Sequence, residues 1–200
     1  SSRPSLDVTD LPNQPADVMP FLENVTRGRD IPASRLVDVA GHYLAMGGRS
    51  PINGQNRALV AALQNELEQA GVSLPVYWGT RNWEPYLADE LARMRDDGIR
   101  RAAVFVTSAY ASYPGCRQYR EDLAAAVAAV GPAAPALDRL RHCFDHPGFI
   151  QANADSVVGA LGDLPAGAAD AARLVFVTHS IPVAMAETSG PEGGAYVEQH

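Results

Sequence analysis

RRAAVFVTSAY, Arg100–Tyr110, is a short apolar run that ends in polar and aromatic residues. GCRQYREDLAAAVAAVG, Gly115–Gly131, follows as an alanine-rich helical stretch, and ALDRLRHCF, Ala136–Phe144, turns extended again. A strand that is apolar throughout, rather than alternating, belongs to a parallel sheet covered on both faces. Working outward, LPVYWGTR (Leu74–Arg81) reads as an earlier strand and EPYLADELARMRDDG (Glu84–Gly98) as the helix after it. RLVFVTHS (Arg173–Ser180) reads as a last strand, behind a helix from about His146 to Leu161 and the linker LGDLPAGAADAA. Strands alternating with helices predict an α/β fold, a doubly wound parallel sheet. Ligands bind such sheets beyond the carboxyl ends of the strands, here GTRNWEPY, TSAYASYPGCRQY and THSIP.

Three helices precede this pattern. Pro15–Gly28 places Val18, Phe21, Leu22 and Val25 at helical spacing. Ser34–Gly48 is expected to be capped by Ser34 and stopped by the paired glycines, and Asn53–Gly71 sets Leu59, Ala62, Leu63 and Leu67 on one face. Residues 1–14 read as irregular. The domain expectation is a first α/β domain over residues 1–165, with residues 166–200 opening a second, incomplete one.

The 200 residues are 46% hydrophobic and 20% charged with net charge −7, the balance of a soluble protein with no general electrostatic attraction for nucleic acid. No apolar segment reaches the roughly 20 residues of a membrane span, and SSRPSLDVTD lacks a secretory layout, so the expected compartment is the cytoplasm. Cys116 and Cys143 form neither a CxxC pair nor a disulfide framework, which favours reduced thiols.

His179 ends the last apolar run, with Pro182 behind it. A neutral imidazole there can accept a proton or bind a metal near pH 7, and it can equally be a histidine hydrogen-bonded in a turn. Ser180 is adjacent and points to the opposite side, and no GxSxG elbow is present, so a hydrolase finds no nucleophile–base pair. His142 and His146 form HxxxH, but Pro147 and Gly148 disfavour one helix carrying both. Gly47, Gly48, Arg49, Ser50 and Pro51 make a turn able to hold a carboxylate or phosphate at a helix start, or simply to stop one helix and cap the next. Neither GxGxxG nor a P-loop occurs. Tyr110, Tyr113, Tyr119, Trp78 and Trp83 offer aromatic walls, and Arg27, Arg29 and Arg49 offer bidentate donors for carboxylates.

Taken in order, PFLENVTRGR, HYLAMGGRSPINGQNRAL, LPVYWGTRNWEPY, FVTSAYASYPGCRQYREDL, HPGF and FVTHSIP resemble the ferrochelatases, and within them the actinobacterial group similar to coproporphyrin ferrochelatases. The resemblance spans about Asp17 to His200. It implies two similar doubly wound halves with a porphyrin between them, and insertion of ferrous iron into coproporphyrin III or a related porphyrin by a monomer.

By position, His179 matches the family's active-site histidine of the H-[ST]-x-P motif, assigned to iron ligation or pyrrole deprotonation. Ser50 and Tyr119 match porphyrin-contacting positions, and Tyr43 and Arg27 match neighbours of that pocket. Some members hold an iron–sulfur cluster through one internal cysteine and a carboxyl-terminal cysteine group. Cys116 is the candidate internal ligand, the terminal group is not found here, and a free thiol is the stronger reading.

The family's partner glutamate belongs to the second half, and SSRPSLDVTDLPNQ stands where an apolar strand and glycine-rich loop are usual. The expectation is that this polypeptide alone inserts little or no iron. The competing reading is a non-catalytic tetrapyrrole- or metal-binding module.

Overall fold

The structure, a computed structural model, describes residues 12, 14–28, 30–112, 117–178 and 180–200. Its described elements, in chain order, are α1 (Val18–Val25), α2 (Ala33–Ala45), α3 (Ile52–Gln69), α4 (Leu87–Asp96), β1 (Arg101–Val104), α5 (Tyr119–Val130), β2 (Ala136–Arg139), α6 (Pro147–Gly162), α7 (Val183–Glu187) and α8 (Ala195–Gln199). Two compact units divide the chain: residues 1–100 with 122–136, and residues 101–121 with 137–200.

The βαβ pattern that opened the sequence reading is present. β1 and β2 are neighbours in a two-stranded sheet. Ala136 N–H donates to the Arg100 carbonyl and Leu140 N–H to the Val104 carbonyl, both at 2.9 Å. Both partners advance together along the chain, so the strands are parallel, and α5 is the crossover between them. Arg101 and Asp138 form an ion pair across the strands.

In the first unit the core is the α1–α2 corner. Val18, Phe21 and Leu22 from α1 and Ala40 from α2 are buried together, with Met19, Val25, Leu36, Val39, Tyr43 and Trp83 packed around them. The expected spacing Val18, Phe21, Leu22, Val25 is thus the buried face of α1. Ser34 does not cap α2: the helix starts at Ala33, and Pro32 holds the cap position with no side-chain cap hydrogen bond. Pro32 already supplies an extended entry (ψ 138°), leaving Ser34 inside the helix. The stop is as expected, with Gly47 and Gly48 at φ +89° and +64° and Gly48 N–H closing on the Tyr43 carbonyl at 2.8 Å.

Two expected strands are not strands among the described residues. Leu74–Trp78 carries no regular secondary structure, and the Gln64 amide of α3 meets its backbone, accepting from Val76 N–H at 3.2 Å and donating to the Leu74 carbonyl at 3.2 Å. Pro75 has no N–H to offer a ladder. A single parallel bridge follows, Thr80 with Tyr86. Arg173–Thr178 likewise carries no regular secondary structure and makes no backbone hydrogen bond to another described residue, and Val175, Phe176 and Val177 are 80–89% exposed. A buried parallel strand needs neighbours on both sides, and among the described residues none borders this run. The helical face of α3 is likewise uncovered at Leu59 and Leu63.

Candidate functional site

Residue 179, the leading candidate, lies outside the described residues, as do Arg29, Tyr113 and Cys116. The remaining candidates divide between the units.

Tyr43, Arg27 and Ser50 belong to the first unit, at the α1–α2 corner. Tyr43 is half-buried on the last turn of α2, its ring edge-on to Phe21 at 6.2 Å, and Trp83 meets the same phenylalanine at 6.1 Å. Three aromatic rings thereby share one apolar seat, which restricts the Tyr43 ring while leaving part of it open. Arg27 sits on the turn after α1, exposed, and its Nη2 donates to Asn24 Oδ1. Asn24 Nδ2 donates in turn to the Tyr86 hydroxyl at 3.1 Å. Among the described residues no carboxylate pairs with Arg27, whereas Arg81, Arg93, Arg95, Arg101, Arg117 and Arg141 each have one.

Ser50 ends the glycine turn. Its N–H donates to the Pro12 carbonyl at 3.0 Å, and its hydroxyl accepts a long 3.4 Å contact from Ile52 N–H at the start of α3. Gly48 reaches this position by lying against Pro15: an added Cβ would be 2.8 Å from the Pro15 Cα. The turn is therefore fixed against the chain that precedes α1, and the serine hydroxyl keeps donor capacity.

The second unit holds Tyr119, half-buried in the first turn of α5. At the carboxyl edge of the β1–β2 sheet, His142 Nδ1 lies 2.9 Å from the Ser108 carbonyl and its Nε2 lies 2.9 Å from Arg139 Nη2. Arginine only donates, so Nε2 accepts and Nδ1 carries the proton given to Ser108. His146 is spent differently, its Nδ1 accepting from Gly148 N–H at 3.1 Å at the start of α6. The HxxxH pair rides no common helix, and no group of three metal-ligating side chains forms among the described residues. Cys143 is a free, half-buried thiol.

Tyr110 stacks on His200 at 3.8 Å and meets Phe149 edge-on, so this expected wall is packed by α6 and by the residue that follows α8. Ile181, Val183, Ala186, Tyr196 and Val197 line an open, mostly apolar concavity of about 360 Å³.

Sequence reasoning missed Asn24, Tyr86 and Glu90. Glu90 is a buried carboxylate on α4, 2.8 Å from Arg93; burial raises its pKa above the ordinary range, while the Arg93 charge opposes that shift. An EPYLADELAR helix gives no hint that this acid faces inward. Asn24 and Tyr86 are 62 residues apart, and no local pattern joins them.

Comparison with known proteins accounts for the order of these segments. The chain is 56% identical over 197 residues to the coproporphyrin III ferrochelatase of Streptomyces coelicolor, covering 94% of this chain and 52% of that relative. It is 56% identical over 185 residues to the protein of the same name from Nocardia farcinica (92% and 53%), and 57% over 190 residues to that from Frankia alni (94% and 48%). The chain spans about half the length of the curated relatives it matches. The family model described as Ferrochelatase matches residues 11–200, and with that match the chain belongs to the ferrochelatase family.

Proposed function

We propose that the protein inserts ferrous iron into coproporphyrin III in haem biosynthesis, as a cytoplasmic monomer. The observation that carries this reading is the 56% identity to a coproporphyrin III ferrochelatase across 94% of the chain. Iron is a substrate: one ferrous ion enters the macrocycle, two pyrrole protons leave, and the iron porphyrin results. Residues 1–165 are assigned to one chelatase-like domain, and residues 166–200 to the opening of a second.

His179 is assigned as the group that accepts a pyrrole proton or briefly holds the iron as it sheds water. A neutral imidazole does either near pH 7. Arg27 is assigned to a substrate carboxylate, since an amide holds it and among the described residues no acid pairs with it. Tyr43 offers a ring face to the macrocycle, and Ser50 and Tyr119 offer hydroxyls to the propionates.

The test is His179→Ala in the full-length protein, with porphyrin binding read from the Soret band and insertion from the loss of porphyrin fluorescence under anaerobic ferrous iron. Removing a proton-transfer group is expected to slow insertion about 10²–10⁴-fold while porphyrin binding persists. Undiminished insertion by the variant overturns the role of His179. A wild-type protein that binds porphyrin and never metalates it is the binding module instead.

A further inference from the structure

We infer that Asn24 and Tyr86 are positioning residues that hold the Arg27 guanidinium for a carboxylate of the bound substrate, an inference that rests on the porphyrin reading above. Arg27 lies beyond the last turn of α1, where an arginine side chain ordinarily samples many rotamers. Here its Nη2 is tied to Asn24 Oδ1, and the same amide is fixed at its other end by donating to the Tyr86 hydroxyl at 3.1 Å. The two bonds set the orientation of the Asn24 amide: the nitrogen must face the phenol and the oxygen the guanidinium.

Tyr86 is itself well anchored. It precedes α4 and its carbonyl accepts from Glu90 N–H at 3.1 Å. On either side of it, Thr80 N–H donates to the Pro85 carbonyl at 2.7 Å and Leu87 N–H to the Thr80 carbonyl at 3.0 Å. On the other side of the relay, Phe21, one turn before Asn24, packs on Trp83 of the same loop. The relay therefore joins two segments that packing has already brought together.

The chemistry of the tether matters more than its length. A carboxylate partner would fix the guanidinium and also cancel the charge that an anionic ligand needs. A neutral amide fixes it and uses one of its five N–H donors, leaving the rest for bidentate pairing with an incoming carboxylate. Pre-setting the side chain removes part of the ordering cost from the binding step.

The experiment is a double-mutant cycle of Tyr86→Phe and Arg27→Ala in the full-length protein, measuring Kd for coproporphyrin III by Soret titration together with KM and kcat for insertion. Tyr86→Phe is expected to raise Kd and KM about fivefold, with kcat within about twofold of wild type, because one hydrogen bond of the relay is lost. In the Arg27→Ala background the same change is expected to do nothing further, and the porphyrin with esterified carboxylates is expected to bind wild type and Tyr86→Phe alike. A Tyr86→Phe protein that binds like wild type, or an equal loss with Arg27 already gone, overturns the inference while leaving the porphyrin reading intact. Wild-type protein that binds no porphyrin overturns both. Should Tyr86→Phe lose its helical circular dichroism, Asn24→Ala replaces it in the same cycle, with the same outcomes.

Discussion

The α1–α2 corner and the run Arg173–Thr178 are both apolar stretches that lead to candidate site residues, and they reach opposite physical states. In the corner, Val18, Phe21 and Leu22 are 1–6% exposed, and Tyr43, Arg27 and Ser50 hang from a packed frame. In the run, Val175, Phe176 and Val177 are 80–89% exposed, and their backbone bonds to no other described residue. A helix satisfies its own backbone and needs only one partner for its apolar stripe, whereas a buried parallel strand needs neighbours on both edges and both faces. Site residues beside the short helices are thus held by one packed corner and the loop before α4. A site residue at a strand end depends on chain far away.

The largest expected effect on stability is at the centre of the corner. Phe21→Ala removes the ring on which both Tyr43 and Trp83 rest, and truncation of a buried phenylalanine costs about 3–5 kcal/mol. Urea unfolding followed by circular dichroism measures it. A loss below about 1 kcal/mol, the size of a surface change, would show that the corner is not a packed core.

Next in size is the glycine turn that carries Ser50. Gly48→Ala forces an L side chain into φ +64° with its Cβ 2.8 Å from the Pro15 Cα, and the dihedral and the clash together cost about 3 kcal/mol. Gly47→Ala meets nothing within 4 Å and suffers only its φ of +89°, about 1 kcal/mol. The difference between the two midpoints in urea isolates the contact with Pro15. Equal losses would mean that the turn is not seated there.

These contrasts explain what was legible in the sequence. The βαβ unit could be read because a continuous apolar run, an alanine-rich helix and a second extended stretch are each local patterns. The buried face of α1 and the glycine stop of α2 were legible for the same reason. Leu74–Arg81 misled because strand composition does not reveal whether a neighbouring strand or the Gln64 side chain meets its backbone. The Arg27–Asn24–Tyr86 relay was invisible, since its two ends are brought together only by the packing of Phe21 on Trp83. Family resemblance supplied what periodicity did not, a role for His179, while Pro147 and Gly148 already counted against the His142–His146 pair and the hydrogen bonds of both imidazoles agree.

The smallest effect is the sharpest test of the comparison. Val177 is 89% exposed, so Val177→Ser in this 200-residue chain removes almost no buried area and is expected to shift stability by no more than about 0.5 kcal/mol. If the run becomes an inner strand of a second domain in the full-length protein, as proposed, the same substitution there loses a buried side chain and costs about 2 kcal/mol. Paired urea titrations of the two lengths read the difference directly. A cost of about 2 kcal/mol already in the short chain would mean that the run is covered within it, and the contrast with the α1–α2 corner would fall. A negligible cost in both lengths would instead remove Arg173–Thr178 from the core of any second domain, and with it the strand end on which His179 is proposed to act.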